Sequence, residues 1–291
     1  MKHAKIIDGK FQADQICEGL KQSILDINRR HSITPGLAVI LAGDDPASHI
    51  YVANKIKRAK EISMQIFPHF LPADVPETQL LGLIEQLNKD KSVHGILLQI
   101  PVPEHIDQFK AINTIGPQKD VDGFTVQNVG LLNTWQDCLE PSTPKGALKL
   151  IKSALGDDLS GKKAVVLGRS LIVGRPMASM LIRESCTVTL LHSKSVNIAQ
   201  ECSSADILVS AIGQPGFITK ELVKPGACII DVGITRVDGK ILGDVDFESV
   251  SKIAGYITPV PGGVGPMTVA CMLENTFKAM CKQHNLVIKD L

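Results

Sequence analysis

Apolar residues fall along this chain in two alternating rhythms. Short unbroken runs such as LAVILAG (Leu37–Gly43) carry no polar residue, as a strand covered on both faces of a parallel sheet requires. Between the runs lie stretches whose apolar positions recur at helical spacing. The pattern predicts an opening helix over about 9–31, the strand LAVILAG, and a helix from Pro46 to about Ser63 with proline in its first turn. It then predicts a strand QIFPHFL, a helix from Glu77 to Lys89, a strand HGILLQI (His94–Ile100) and a further helix after PVPEH. Beyond the turn-rich segment Glu140–Pro144 a second alternation begins. Its strands are KAVVLG (Lys163–Gly168), TVTLLH, DILVSAIG and ACIIDVG (Ala227–Gly233), with a helix near Val173–Glu184 and a short one before DILVSAIG. A long helix over about 266–283 closes the chain. The expectation is an α/β fold of two α/β lobes with a cleft between them. The first lobe is expected to cover 1–140, joined by the C-terminal helix at about 266–291, and the second to cover 141–265.

Composition removes several function classes. The chain has 291 residues, and 31 Lys+Arg against 30 Asp+Glu leave a net charge of +1. No strong global field exists to hold nucleic acid or a membrane surface. Two tyrosines, one tryptophan and eight phenylalanines offer little for base stacking. No apolar run approaches the ~20 residues of a membrane span, and MKHAKIIDGKFQ lacks the apolar block of a signal peptide. The seven cysteines lie at least ten residues apart, and no HxxxH pair occurs. The expectation is a cytoplasmic protein with reduced thiols and no metal site.

Two regions carry candidate chemistry. In KKAVVLGRSLIVGRPMASMLI, Gly168 and Gly174 stand just past a buried strand and at a helix start. Glycine there admits a pyrophosphate to the backbone, and the helix start supplies free N–H groups and a positive dipole. The spacing is not G-x-G-x-x-G, and a tight strand–helix turn would also need small residues. The surrounding βαβ pattern favours a Rossmann-like dinucleotide site. The next strand ends His192-Ser193-Lys194, without the acid that binds a ribose 2′-hydroxyl. A hydroxyl with Lys194 and Arg169 nearby suits a 2′-phosphate, so the expected cofactor is NADP.

The other region is PASHIYVANKIKRAKEI. Ser48, Tyr51 and Lys55 lie at helical offsets on one face. A desolvated lysine beside a tyrosine exchanges protons near neutrality. An ordinary surface lysine fits the sequence too, since Lys57, Arg58 and Lys60 surround it. Gln99 ends HGILLQI, where a parallel sheet faces its ligand, so it either bonds a ligand or lysine or holds the next loop. KDVDGF sets Asp120 and Asp122 in a loop; Asp-Gly is a common turn pair, yet a carboxylate there could accept paired N–H donors from a planar heterocycle. TPVPGGVGPMT reads as rigid packing or as close backbone approach to a cofactor.

SHIYVANK, GILLQIPVP, KDVDGF, PSTPKG, GRSLIVGRP and PVPGGVGPMT, in that order over about 40–270, resemble the bifunctional methylenetetrahydrofolate dehydrogenase/methenyltetrahydrofolate cyclohydrolase family. The resemblance implies NADP-dependent oxidation of 5,10-methylenetetrahydrofolate and hydrolysis of the product to 10-formyltetrahydrofolate, by a homodimer in one-carbon metabolism. It implies that Lys55 is the central catalytic residue, Tyr51 orders the folate, Gln99 tunes the lysine and Asp122 binds the pterin. Further folate contacts fall on Ser48, Pro261 and Gly262. Dinucleotide contacts fall on Thr143, Gly168, Arg169, Ser170, Val173, Gly174, Ser193, Ile234 and Thr268. The chain departs from the family in Ser142, where cysteine is common.

Overall fold

The computed structural model describes residues 3–286. Contacts divide the chain into two units, Met1–Ala13 with Pro141–Cys271, and Asp14–Glu140 with Met272–Leu291. The chain opens with β1 (Lys5–Ile6) and α1 (Gly9–His31), and the division falls within α1. The expected first lobe counted residues 1–13 as its own, but they group with the later unit. The reason is packing: β1 pairs in parallel with a strand at Tyr256–Ile257, and a Cβ on Gly9 would stand 2.0 Å from the carbonyl oxygen of Gly263. The C-terminal helix likewise divides at 271/272, later than the expected 266, and residues 287–291 of that expectation lie outside the described residues.

The unit around Asp14–Glu140 holds β2 (Gly36–Ala42), α2 (Pro46–Glu61), β3 (Gln65–Leu71), α3 (Glu77–Lys89), β4 (Gly95–Leu98), α4 (Gln108–Thr114) and α5 (Val126–Asn133). Its three strands are parallel in the order β3-β2-β4. β2 is buried along its whole length. Ala38, Ile40 and Ala42 pack with Leu80, Ile84 and Leu87 of α3 and with Ala111 and Ile112 of α4. Beyond β4 the sheet gains one parallel bridge, Ile96 with Asp120, which lays the KDVDGF loop beside the end of β4. Gly95 makes room for it, because a Cβ there would lie 2.4 Å from Val121 Cγ1.

The other unit contains α6 (Ser142–Leu155), β5 (Lys163–Leu167), α7 (Gly174–Arg183), β6 (Thr187–Leu191), α8 (Ile198–Cys202), β7 (Ile207–Ser210), β8 (Cys228–Asp231), β9 (Thr235–Val237), β10 (Lys240–Leu242), α9 (Phe247–Val250), β11 (Tyr256–Ile257) and, as far as Cys271, the first part of α10 (Val264–Gln283). The segment read as turn-rich is in fact the start of α6: Pro141 stands at its N-cap, where proline's fixed φ suits a helix start and its missing N–H costs no bond. Ser142 is buried in its first turn. Six parallel strands run in the order β1-β11-β8-β7-β5-β6. From β5 the chain moves outward to β6 and then back across to β7. The carboxyl ends of β5 and β7 thus form the reversal point where such sheets take ligands. Among the described residues no helix is long and apolar enough to cross a membrane.

Candidate active site

The lysine face of α2 is set by its first turn. Asp45 caps the helix, its carboxylate accepting from the Ser48 N–H at 2.9 Å and the Ser48 hydroxyl at 2.7 Å, with Pro46 following. Ser48 is therefore buried and occupied in the cap. One turn on, Tyr51 remains 38% exposed, and Lys55 follows after a further turn.

Gln99 continues the line of β4, its backbone N–H donating to the Ile40 carbonyl at 2.8 Å. Lys55 Nζ donates to Gln99 Oε1 at 3.0 Å, while Gln99 Nε2 donates to the Ile100 carbonyl at 2.8 Å. The second bond fixes which end of the amide faces the lysine, since a reversed amide would present N–H groups to an ammonium. Burial lowers the Lys55 pKa, and the Asp122 carboxylate partly restores it. Asp122 is pushed up to about 6, first by burial; Lys55 pulls it down and Asp120 pushes it up further. Lys55, Gln99 and Asp122 are thus one electrostatic group, and its two ionisable members are both displaced toward neutral pH. None of the neighbouring cations shares this setting: Arg58 is paired with Asp14 and Glu61, and Lys57 and Lys60 are exposed.

The glycine turn after β5 is built for close approach. Gly168 adopts φ +106°, and a Cβ there would lie 2.3 Å from the Ala211 carbonyl oxygen. A Cβ on Gly174 would lie 1.8 Å from the Gly168 carbonyl oxygen. The helix start is less open than its sequence suggested. Ser170 Oγ accepts from the Val173 N–H at 3.1 Å and reaches the Gly174 N–H at 3.4 Å, filling part of the anion-binding position itself. Arg169 is exposed and its carbonyl accepts from Arg175 Nε at 3.1 Å. Arg175 lies within the same GRSLIVGRP motif, which by itself gives no sign of this bond. After β6 the chain turns through His192–Ser195, with His192 N–H donating to Ser195 Oγ and Lys194 N–H to His192 Nδ1. Ser193 and Lys194 are exposed on this turn, which holds no carboxylate. A cradle with no room for a Cβ, beside a turn bearing a hydroxyl and a cation, fits a phosphorylated dinucleotide.

Thr143 and Thr268, distant in sequence, meet at 3.1 Å between their hydroxyls. Ile234 is 43% exposed and its Cδ1 lies over the position a Cβ on Gly265 would take. At the proline–glycine loop, Gly262 adopts φ +107° and its carbonyl accepts the Lys10 N–H at 2.9 Å. Gly263 approaches Gly9 too closely for any side chain. The rigid-packing role of this loop is therefore visible, with Pro261 exposed beside it.

Two buried acids of this unit, Asp231 and Asp244, lie outside the motifs that the sequence offers. Asp231 accepts the N–H groups of Gly233, Asp244 and Val245, and Asp244 accepts from Ser210 Oγ and the N–H groups of Ile212 and Gln214. Together they tie the loops after β7 and β8. Burial pushes Asp231 up to about 6. Asp231 ends an apolar run, ACIID, and an acid closing such a run is the signal that could have found it.

The family model described as "Tetrahydrofolate dehydrogenase/cyclohydrolase, catalytic domain" matches residues 7–122, and that described as "Tetrahydrofolate dehydrogenase/cyclohydrolase, NAD(P)-binding domain" matches residues 141–284. "Bifunctional protein FolD" of Paramagnetospirillum magneticum is 53% identical over 98% of each chain. The structure of the bifunctional methylenetetrahydrofolate dehydrogenase/cyclohydrolase FolD from Campylobacter jejuni superposes with a TM-score of 0.94 at 44% identity, over 96% of this chain and 99% of that one. The Trypanosoma brucei dehydrogenase–cyclohydrolase, solved with NADP cofactor and inhibitor, gives a TM-score of 0.93 at 38% identity, over 99% of this chain and 100% of its own.

Proposed function

Because the chain belongs to the tetrahydrofolate dehydrogenase/cyclohydrolase family, we propose that it oxidises 5,10-methylenetetrahydrofolate with NADP and hydrolyses the resulting 5,10-methenyl cation to 10-formyltetrahydrofolate, with Lys55 handling the protons. NADP, when bound, accepts the hydride that leaves the methylene carbon. The remaining cation is spread over two nitrogens, so that step asks no strong base of the protein. Hydration then needs water at the same carbon and a proton moved from oxygen to nitrogen. Lys55, its neutral form favoured by burial, takes a proton from the attacking water and returns one to the nitrogen that leaves. Gln99 Oε1 holds the amine in place through both states.

Asp122 accepts the paired N–H donors of the pterin, and Tyr51, exposed one turn before Lys55, orders the ring beside it. Pro261 and Gly262 supply a further folate contact. The dinucleotide is held by Gly168, Arg169, Ser170, Val173 and Gly174, with Arg169 and Ser193 meeting the 2′-phosphate. Thr143, Ile234 and Thr268 complete its contacts. Ser48 serves the site through the helix cap.

The reading includes a cytoplasmic homodimer. Among the described residues β3 is an edge strand, with Phe70 57% exposed, and its outer edge is open to a second copy. Light scattering at twice 31.3 kDa is the expected result.

The observation that carries the proposal is the 3.0 Å bond between Lys55 and Gln99 at a partly desolvated amine. An absorbance assay of NADPH formation and of methenyl loss tests it. In a Lys55→Met variant hydrolysis is expected to fall by at least about 100-fold while NADP affinity stays within about twofold. Retained cyclohydrolase turnover would overturn it.

A further inference from the structure

The loop that carries Asp122 is held by two buried residues for which the proposed chemistry has no other use. Asp120 is 1% exposed, and its carboxylate accepts the Gly123 N–H at 2.9 Å, the Thr125 N–H at 2.8 Å and Asn128 Nδ2 at 3.0 Å. With three donors bound it has no outward role toward a ligand. Asn275 of α10 is 0% exposed. Its Nδ2 donates to the Val121 carbonyl at 2.8 Å and the Glu140 carbonyl at 2.7 Å, which spends both amide hydrogens. The atoms gripped are the carbonyl just before Asp122 and the N–H just after it.

We propose that Asp120 and Asn275 are positioning residues for folate binding, fixing the backbone on both sides of Asp122 so that its carboxylate meets the pterin without reordering. The proposal rests on the reading of Asp122 as the pterin-binding acid. An unheld Asp-Gly turn samples several conformations, and the substrate would bear the cost of choosing one. Here the choice is made by groups already buried. Removing either partner leaves buried donors or acceptors unmatched and frees that backbone. Asn275 brings the C-terminal helix into substrate recognition without touching substrate.

The test is a mutant cycle on the full-length chain, reading dissociation constants for tetrahydrofolate and for NADP by calorimetry. Asp120→Asn and Asn275→Asp, both close in volume to the native side chain, are each expected to weaken tetrahydrofolate about tenfold and to leave NADP within about twofold. In an Asp122→Ala background the same substitutions are expected to change tetrahydrofolate affinity by less than about twofold, since the residue they position is gone. Equal weakening in both backgrounds, or no weakening in the first, overturns the proposal. If Asp122→Ala itself leaves tetrahydrofolate affinity intact, the reading of Asp122 fails instead, and the two failures are told apart. Should Asp120→Asn not fold, Asn128→Ser removes one of the three donors to Asp120 and repeats the comparison.

Discussion

Lys55 donates to Gln99 at 3.0 Å, and Gln99 is itself locked by the carbonyl of Ile100. A neutral amide beside the amine leaves burial as the largest influence on its pKa, opposed only in part by Asp122, whereas a second carboxylate would favour the charged form further. Gln99→Glu is therefore expected to raise the Lys55 pKa. Its cyclohydrolase pH–rate profile should move to higher pH, with turnover at pH 7 lower by about tenfold. A profile unchanged in position would show that Gln99 does not govern the amine.

Asp122 ionises near pH 6 in the fold, against a usual value of 3.8. In the role proposed for it the ionised form accepts pterin N–H donors, so kcat/KM for methylenetetrahydrofolate should fall below pH 6 as the carboxyl takes a proton. Asp122→Asn should abolish that acid limb. For folding, a carboxylate whose pKa is raised contributes stability below the unfolded value of 3.8, and that contribution is lost as pH rises through about 6. Denaturation of the wild type and Asp122→Asn across this range gives the sign directly.

Ser193 follows β6 on an exposed turn with Lys194 and no acid. A carboxylate there repels a 2′-phosphate and suits a 2′-hydroxyl. Ser193→Asp is expected to weaken NADP by at least about tenfold while NAD binds as well as before or better. Fluorescence titration with both dinucleotides checks it, and an unaltered ratio would place the 2′ position elsewhere.

His94 is 3% exposed, and its Nδ1 accepts the Gly36 N–H at 2.9 Å, so that nitrogen carries no proton. Its Nε2 lies 3.0 Å from His284 Nε2. Burial above all, then His284 and Lys119, hold its pKa at about 4 against 6.5, with Asp90 opposing. A histidine whose folded pKa is depressed contributes stability that is complete above pH 6.5 and lost as pH falls toward 4, amounting to about 3 kcal/mol. The stability gap between wild type and His94→Ala should narrow by that order over this window, and ring nitrogen shifts should show His94 still neutral at pH 6. Protonation near 6.5 would refute it.

The long buried strands were legible because a strand covered on both faces can be written only in apolar residues: Gly36–Ala42 and Lys163–Leu167 announce themselves. β1 does not. It is two residues long, both exposed, and exists only because β11 offers a ladder from the far end of the chain. The β9–β10 hairpin carries a turn signal in Asp238-Gly239, but its three-residue strands are too short to show a pattern of their own. Glu140–Pro144 misled because proline and serine serve helix starts as readily as turns.

In the site, helical offsets grouped Tyr51 and Lys55, but nothing local separates Lys55 from its charged neighbours. The distinction comes from Gln99, on another element, and from burial that only the fold supplies. In KDVDGF the turn duty weighed for Asp122 falls instead on Asp120, whose carboxylate closes the turn onto Gly123. Asn275 had a signal that was passed over: with Glu274 and Thr276 it is a polar island inside an apolar helix, and such islands endure where their polar groups are bonded.

All seven cysteines are buried thiols, Cys17, Cys138 and Cys281 in one unit and Cys186, Cys202, Cys228 and Cys271 in the other. A sulfhydryl reagent added to the native molecule therefore meets sulfur only where the fold opens, and each alkylated position records which unit let it in. Peptide mapping after brief exposure at rising temperature would rank the two units by resistance to opening, with no label engineered into the chain.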